Sequence, residues 1–281
     1  MATALVTDST AYLSPDLLGA HGIEVVPLHV VVGGKEHREG VDVDAHEVAE
    51  ALRSFRPVST SRPSPQAFLD VYRSVAERGA DSIVSVHISS DMSSTLASAQ
   101  LAARQSPVPV TVIDSRALGM AMGYAVLAGA RLAASGGSMD EVAAVVRTRC
   151  SGATVVFYVD TLEHLRRGGR IGKANALLGS ALSIKPILGL ADGSIVPLER
   201  VRTSSRAIAR LEELAVEAAT AAGSVDVAVH HLDSEERAEK LAERLRSRID
   251  GLEDFSVVEL GAVVGAHVGP GTLAVAVSPR V

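Results

Sequence analysis

Over its first 134 residues the chain alternates short apolar runs with helical patterns, and this alternation limits the fold more than any single motif does. Residues 2–7, 23–32, 82–88 and 109–113 read as strands, and 15–20, 44–54, 65–78, 95–104 and 117–134 as helices. Strands separated by helices cannot pair through tight hairpins, so they are expected to form a parallel sheet with helices on both faces. In such sheets ligands gather beyond the carboxyl ends of the strands. Asp8-Ser9-Thr10, the segment Ser89–Thr95 and Asp114-Ser115 all fall at those ends. Pro27 signals an edge or a bend in its strand, and Ser14 is placed to cap the helix that follows it.

Beyond Gly136-Gly137 and a charged helix at 139–149 the pattern changes. Thr154–Val159 reads as a strand and Leu162–Leu165 opens a short helix. The glycine-rich basic turn RRGGRIG (166–172) follows, and then a helix through about Leu182. Asp192-Gly193 lies between two short strands, a hairpin signal. A helix at 204–222, a strand at 225–230, a helix at 234–249 and strands at 255–260 and 272–277 complete the chain. Strand pairs and helices in blocks suggest an α+β unit. The expected division is a Rossmann-like α/β domain over residues 1–150 and an α+β domain over 151–281.

Composition narrows the function classes. The 281 residues include no Trp, four Phe and four Tyr, which argues against platforms that stack sugars or bases. A net charge of −6 speaks against general nucleic-acid binding. Cys150 stands alone, so no disulfide framework is expected and the residue reads as a small buried hydrophobe. The opening MATALVTDST has neither the basic flank nor the apolar core of a signal peptide. The longest apolar run, Ala117 to Ala130, is shorter than the roughly 20 residues a spanning helix needs. A soluble, cytoplasmic protein without an integral membrane segment is expected, and Ala117–Ala130 reads as an interior helix.

The segment HISSDMSST (87–95) holds five hydroxyls, Ser89, Ser90, Ser93, Ser94 and Thr95, in a strand-to-helix turn. A helix start leaves backbone N–H groups unpaired, so such a turn suits a carboxylate or a phosphate. One cap accounts for one hydroxyl; five suggest an anion site. A second cluster, Ser59-Thr60-Ser61, precedes Arg62-Pro63, and Pro63 holds Arg62 extended. Alone it reads as a capping loop. His267 lies in GAHVGPG (265–271), read as a turn too rich in glycine for a core strand and one that aims a polar side chain at something. Residues 166–210 carry nine cations and two anions, a local charge of +7 that leaves −13 for the remainder. Such a segment could receive a phosphate-bearing ligand or dock an acidic partner.

Several familiar motifs fail. GGRIGKA is no P-loop, because Arg167 stands where its first Gly would be and Ala174 follows the Lys. His230-His231 read as a strand end, with Asp233 or Ser234 capping the next helix, and no metal site is expected. No G-x-S-x-G elbow occurs. A Ser-dependent esterase of acyl substrates built on Ser93, His267 and an Asp stays open as the alternative, although nothing orients a base against the nucleophile.

The segments VTDST (6–10), TSRPS (60–64), HISSDMSST (87–95), VIDSRALGMAMG (112–123), LRRGGRIGKANALLGSALSIKPIL (165–188) and GAHVGPGTLAV (265–275) follow one another across the chain. The ordered set resembles the DegV family of bacterial fatty-acid-binding proteins, the lipid-carrier subunits of fatty acid kinase systems. The resemblance implies a non-enzymatic carrier without cofactor, holding one long-chain fatty acid in an aliphatic tunnel near the domain junction. It also implies delivery to a separate ATP-dependent kinase that makes acyl-phosphate for phospholipid synthesis. Carried over residue by residue, the carboxyl-binding hydroxyls are Thr60 and Ser93 and the ligand-proximal histidine is His267, which if protonated also offsets the charge; the neighbouring Ser61 and Ser94 are expected in the same ligand-binding set. Arg170 and Arg202 match basic positions associated with phosphoryl handling or kinase docking. Arg62, Ser94, Leu96 and Gly172 depart from the usual Gln, Gly, aromatic and Ser of the family pattern, and Arg116-Ala117-Leu118-Gly119 follows Asp114-Ser115 where relatives often carry more Ser.

Overall fold

The computed structural model describes residues 2–177 and 184–280. The first half runs β1 (Thr3–Asp8), α1 (Pro15–His21), β2 (Glu24–Val26), β3 (His29–Val32), β4 (Lys35–Arg38), α2 (Ala45–Arg53) and β5 (Val58–Ser61). It continues through α3 (Pro65–Glu77), β6 (Ser82–His87), α4 (Thr95–Ala103), β7 (Val110–Asp114) and α5 (Met120–Ala134) to α6 (Met139–Gly152). The second half adds β8 (Thr154–Tyr158), α7 (Glu163–Arg167), β9 (Lys185–Ala191), β10 (Ser194–Val201) and α8 (Ser204–Ala222). It closes with β11 (Val225–His231), α9 (Glu235–Arg248), β12 (Leu252–Glu259), α10 (Ala262–Val268) and β13 (Leu273–Pro279).

A four-stranded sheet, β2-β1-β6-β7, is parallel throughout, as the strand and helix alternation requires. Helices α3 and α4 cover one face through Phe68, Leu69, Tyr72, Ala99 and Ala102, packed on Val6 and Ile83. Helices α5 and α6 cover the other face, and there the glycines of α5 matter. A Cβ on Gly129 would meet Val146 of α6 at 2.7 Å, and one on Gly123 would meet the Ala11 carbonyl at 2.6 Å. The Ala- and Gly-rich run is thus an interior helix, with ten of the residues of α5 buried.

The second half forms a six-stranded sheet, β10-β9-β8-β13-β11-β12, in which only β11 and β12 are parallel neighbours. Helices α8 and α9 bury Ala207, Leu211, Ala215, Leu241 and Leu245 on one face. The opposite face packs Ala228 and Ala276 against the core that α5 and α6 share with the first sheet. The α5–α6 pair is therefore a common middle layer between the two sheets.

Two expectations need correction. Residues 23–32 are not one strand: the ladder breaks at Pro27, which has no N–H to donate. The chain then leaves the parallel sheet for a separate antiparallel sheet, β4-β3-β5, lying on α2 and α10. The hydroxyl cluster Ser59-Thr60-Ser61 is an edge strand of that sheet and not a capping loop. The turn Gly33-Gly34, both residues at positive φ, is the hairpin signal that marks it. Secondly, residues 262–268 form a helix although the segment is rich in glycine. Gly265 there accommodates Leu232, whose Cδ2 a Cβ would meet at 3.2 Å. After RRGGRIG the chain makes a 3-10 turn at Gly172–Leu177, and the rest of the helix expected through Leu182 lies outside the described residues.

Candidate functional site

Three separate elements converge on one cavity of about 150 Å³. Strand β5 brings Thr60, Ser61 and Arg62; the turn before α4 brings Met92, Ser93 and Ser94; helix α10 brings Val263, Val264, His267 and Val268. Arg170 closes the polar end, and Leu28, Ile88, Leu118, Leu165 and Ile195 supply apolar wall. The five residues expected to bind a carboxyl group, Thr60, Ser61, Ser93, Ser94 and His267, all line this space. Arg202 does not. It follows the last residue of β10, and Ile195 lies near that strand's start, so Arg202 stands roughly 20 Å along the strand from the cavity.

Thr60 Oγ1 and His267 Nε2 are 2.9 Å apart and share a hydrogen bond across 207 residues of sequence. The other ring nitrogen, Nδ1, is buried without a partner and faces Gly168 so closely that a Cβ there would overlap it. Burial and the neighbouring charge of Arg170 push the His267 pKa down from 6.5 to about 4. That shift favours the neutral ring at pH 7, so His267 does not supply the charge it would add if protonated. Fixed positive charge at the cavity comes from Arg62 and from Arg170, whose Nε donates to the Met92 carbonyl at 3.0 Å and whose Nη1 donates to that of Gly168 at 2.7 Å. Arg170 thereby ties the serine turn to the glycine turn.

The five hydroxyls of the serine turn divide by task. Ser89 is buried and donates to the Gly193 carbonyl at 2.8 Å, docking the β9–β10 hairpin. Ser90 donates to Asp114 at 2.5 Å. Ser93 Oγ accepts the Thr95 N–H at 3.3 Å and shares a hydrogen bond with Thr95 Oγ1. Ser94, at the N-cap position of α4, makes no side-chain cap bond, so its hydroxyl is uncommitted at the cavity. Only Ser93 and Ser94 serve the site; Ser89 and Ser90 assemble it. Asp8 and Asp114 are likewise structural. Asp8 accepts from the Thr10 and Ile88 N–H groups, and Asp114 from that of Arg116.

The hydrolase alternative finds no geometry. Ser93 bonds to Thr95 and His267 to Thr60, so no base meets that serine. A Ser85–His87–Asp8 row does exist, at 2.7 and 3.1 Å, but all three side chains are fully buried and Tyr72 bonds to Ser85. No substrate reaches it. His230 and His231 do end a strand, though Ser234 makes no cap bond, and the described residues contain no cluster suited to a metal. Burial raises the Cys150 thiol to about 12, in keeping with a packing role.

Beside the polar end lies a second, apolar space of about 50 Å³ that shares Leu118, Ile195, Val264 and Val268 with the first. Val155, Phe157, Leu190, Leu260 and Ala274 complete its walls. Its one hydroxyl, Thr272, donates to the Gly269 carbonyl at 2.8 Å and asks nothing of a ligand. The two volumes together fall short of the roughly 300 Å³ at the low end of ligand pockets.

The expected cationic surface is smaller than the sequence charge suggests. Arg166 and Arg167 pair with Glu163, Lys185 with Asp160, and Arg210 with Glu199, Glu213 and Glu217. Among the described residues Arg170, Lys173, Arg200, Arg202 and Arg206 have no carboxylate partner. No described helix is long and apolar enough to cross a membrane.

Protonation gives a first expected result. Burial holds His230 and His267 near 4 in the folded state, against 6.5 when free. Between those values the unfolded chain binds protons that the folded chain refuses, so stability is complete above pH 6.5 and falls towards pH 4. The melting temperature of delipidated protein should drop across that window, and His267→Gln should make the drop shallower. An unchanged slope in that variant would place the His267 ring in solvent.

A sequence model of the family described as uncharacterised DegV proteins matches residues 2–280. A DegV domain-containing protein of Streptomyces coelicolor is 53% identical over 277 residues, covering 99% of this chain and 98% of its own. A DegV family protein from Thermus thermophilus, described as binding fatty acid, superposes with a TM-score of 0.95 at 35% identity over the full length of both chains. The DegV protein of Bacillus subtilis, described as a fatty acid binding protein, gives 0.91 at 33% identity, again over both full chains.

Proposed function

Because the chain belongs to the DegV family, we propose that it binds one long-chain fatty acid, with the carboxylate on Thr60, Ser61, Ser93, Ser94 and His267 and the tail in the adjoining apolar space. The observation that carries this reading is the convergence of those five residues, from three distant segments, on one cavity whose other walls are apolar apart from Arg62 and Arg170. A buried carboxylate is costly unless hydrogen-bonded, and the hydroxyls of Thr60, Ser93 and Ser94 stand ready to supply such bonds, while the Ser61 hydroxyl donates to Glu36 at 2.8 Å. Arg170 supplies the opposing charge. No carboxylate side chain lines the cavity to repel the ligand.

In this reading the protein is a carrier, without cofactor, that presents the acid to a separate ATP-dependent kinase. The exposed guanidinium of Arg170 supports presentation, because it stands at the polar end of the cavity. Arg202, far from that end, acts on a partner's surface if it acts at all. Reversing either charge (Arg170→Glu, Arg202→Glu) should impair phosphoryl transfer, and Arg202→Glu should leave fatty-acid affinity within about twofold. Equal loss in both assays for Arg202→Glu would refute a docking role.

The test of the binding itself is native mass spectrometry of freshly purified protein, with lipid extraction of the same sample. One long-chain acid per chain is the expected mass. Thr60→Val and Ser93→Ala should each weaken palmitate binding by about tenfold, the scale of one hydrogen bond to a charged group. A chain that stays unliganded after incubation with palmitate and oleate would overturn the proposal.

A further inference from the structure

Helix α10 supplies four of the residues lining the cavity, including His267, yet its own start has no side-chain cap, because Gly261 occupies that position. The missing cap comes from 224 residues away. Glu39, beyond β4, is 5% exposed, and its Oε1 accepts the Val263 N–H at 2.8 Å. Its Oε2 accepts from Ser9 Oγ, and that hydroxyl in turn accepts the Leu28 N–H at 3.0 Å. One carboxylate thus joins the end of β1, the small antiparallel sheet and the helix that carries His267. Gly261 makes the reach possible: a Cβ there would overlap Glu39 Oε1 and meet the Tyr12 ring at 2.7 Å.

We propose that Glu39 is the positioning residue of the head-group wall, its carboxylate capping α10 and so setting where His267 and Val264 stand against Thr60. The inference rests on reading the cavity as the acid's binding site, and goes beyond it by assigning control of that site to a side chain that does not line it. An N-terminal carboxylate steadies a helix by satisfying its free N–H groups and opposing its dipole. Here the helix has only seven residues, so it depends heavily on that anchor.

The anchor is also placed to respond to pH. Burial, with the charge of Asp8 adding to it, raises Glu39 to about 7 despite the Ser9 and Val263 bonds. Asp8 and Tyr12 face it from the end of β1, and Asp44 and Glu259 line the same cleft from α2 and β12. No cation lines that cleft to hold the carboxylate ionised. The packed arrangement therefore favours neutral Glu39, which still accepts the Val263 N–H; as pH rises through about 7 a charge forms in a buried cleft without a cation and α10 loosens.

Two readouts on the full-length protein test this. The first is amide hydrogen exchange of α10 in delipidated protein, and the second is palmitate dissociation measured between pH 6 and 8.5. In wild type, dissociation should be slower at pH 6 than at pH 8, with a midpoint near 7. Glu39→Gln, whose amide oxygen can still accept the Val263 N–H while its NH2 donates to Ser9 Oγ, should fold normally and flatten that profile at the rate wild type shows at pH 6. Glu39→Ala and Gly261→Ala should both raise α10 exchange and palmitate dissociation about tenfold above wild type at pH 6. Wild-type exchange and dissociation in Glu39→Ala, or a midpoint near 7 that persists in Glu39→Gln, would overturn the proposal. If wild type bound no palmitate while α10 exchange still rose in Glu39→Ala, the binding assignment would fall and the positioning role would stand.

Discussion

Ala274→Phe should lower affinity for a sixteen-carbon acid by about three orders of magnitude while leaving a ten-carbon acid within about threefold. Ala274 lies on β13 opposite Phe157 of β8 in the sheet register, and both line the apolar space beyond the polar end. A second ring there fills the volume that the far part of a long tail would occupy. Each methylene denied burial costs about 0.8 kcal/mol, so excluding about five costs roughly 4 kcal/mol, close to a thousandfold. A short tail ends before the obstruction and loses little. Overpacking a buried strand position costs about 1–3 kcal/mol of stability, so the melting temperature has to be measured beside the affinities. A folded variant that held the sixteen-carbon acid as wild type does would place the tail elsewhere.

Gly168→Ala should reduce palmitate affinity by about 10- to 100-fold, as much as removing a hydrogen bond to a charged group. Gly168 has φ −73 and ψ −8, a backbone that alanine adopts without strain. Its glycine is needed for another reason: the new methyl would overlap His267 Nδ1 and meet Cε1 at 2.8 Å. The imidazole would have to swing away from Thr60, and the head-group pair would open. Gly169 is the contrasting neighbour. It has φ +70, and a Cβ there would meet nothing within 4 Å, so Gly169→Ala strains the backbone by roughly 1 kcal/mol without touching the ring. Binding should therefore separate the two variants, with Gly169→Ala costing stability alone. If Gly168→Ala bound palmitate normally, His267 would not be part of the head-group site.

How the glycine-rich segments work becomes plain from these contacts. His267 sits over Gly168, and His164 sits over Gly269, where a Cβ would meet His164 Nε2 at 2.7 Å. The two loops approach each other through reciprocal pairs of one imidazole and one glycine. Gly172, which departs from the family pattern, has φ +53, and a side chain there would collide with the Ile195 carbonyl. In this chain the position admits glycine only, whatever residue relatives carry.

The alternation of strand and helix determined the parallel sheet by itself, because apolar periodicity and chain connectivity are local properties. Local chemistry likewise decided the caps at Ser14, Asp44, Ser64 and Ser138, and the Asp192-Gly193 turn, whose positive φ values suit a tight hairpin. Thr60, Ser93 and His267 were legible as polar residues in unusual settings, and the order of their motifs pointed to the family. Their meeting was not legible. The Thr60–His267 bond, the Glu39 cap on α10 and the use of Ser89 to dock a hairpin join positions 207, 224 and 104 residues apart. No periodicity reports such distances, so the serine turn looked like five equivalent hydroxyls, and the protonation state of His267 stayed open. Packing gave two of those hydroxyls to assembly, and burial beside Arg170 held the histidine neutral, since desolvation and long-range charge exist only once the chain has closed.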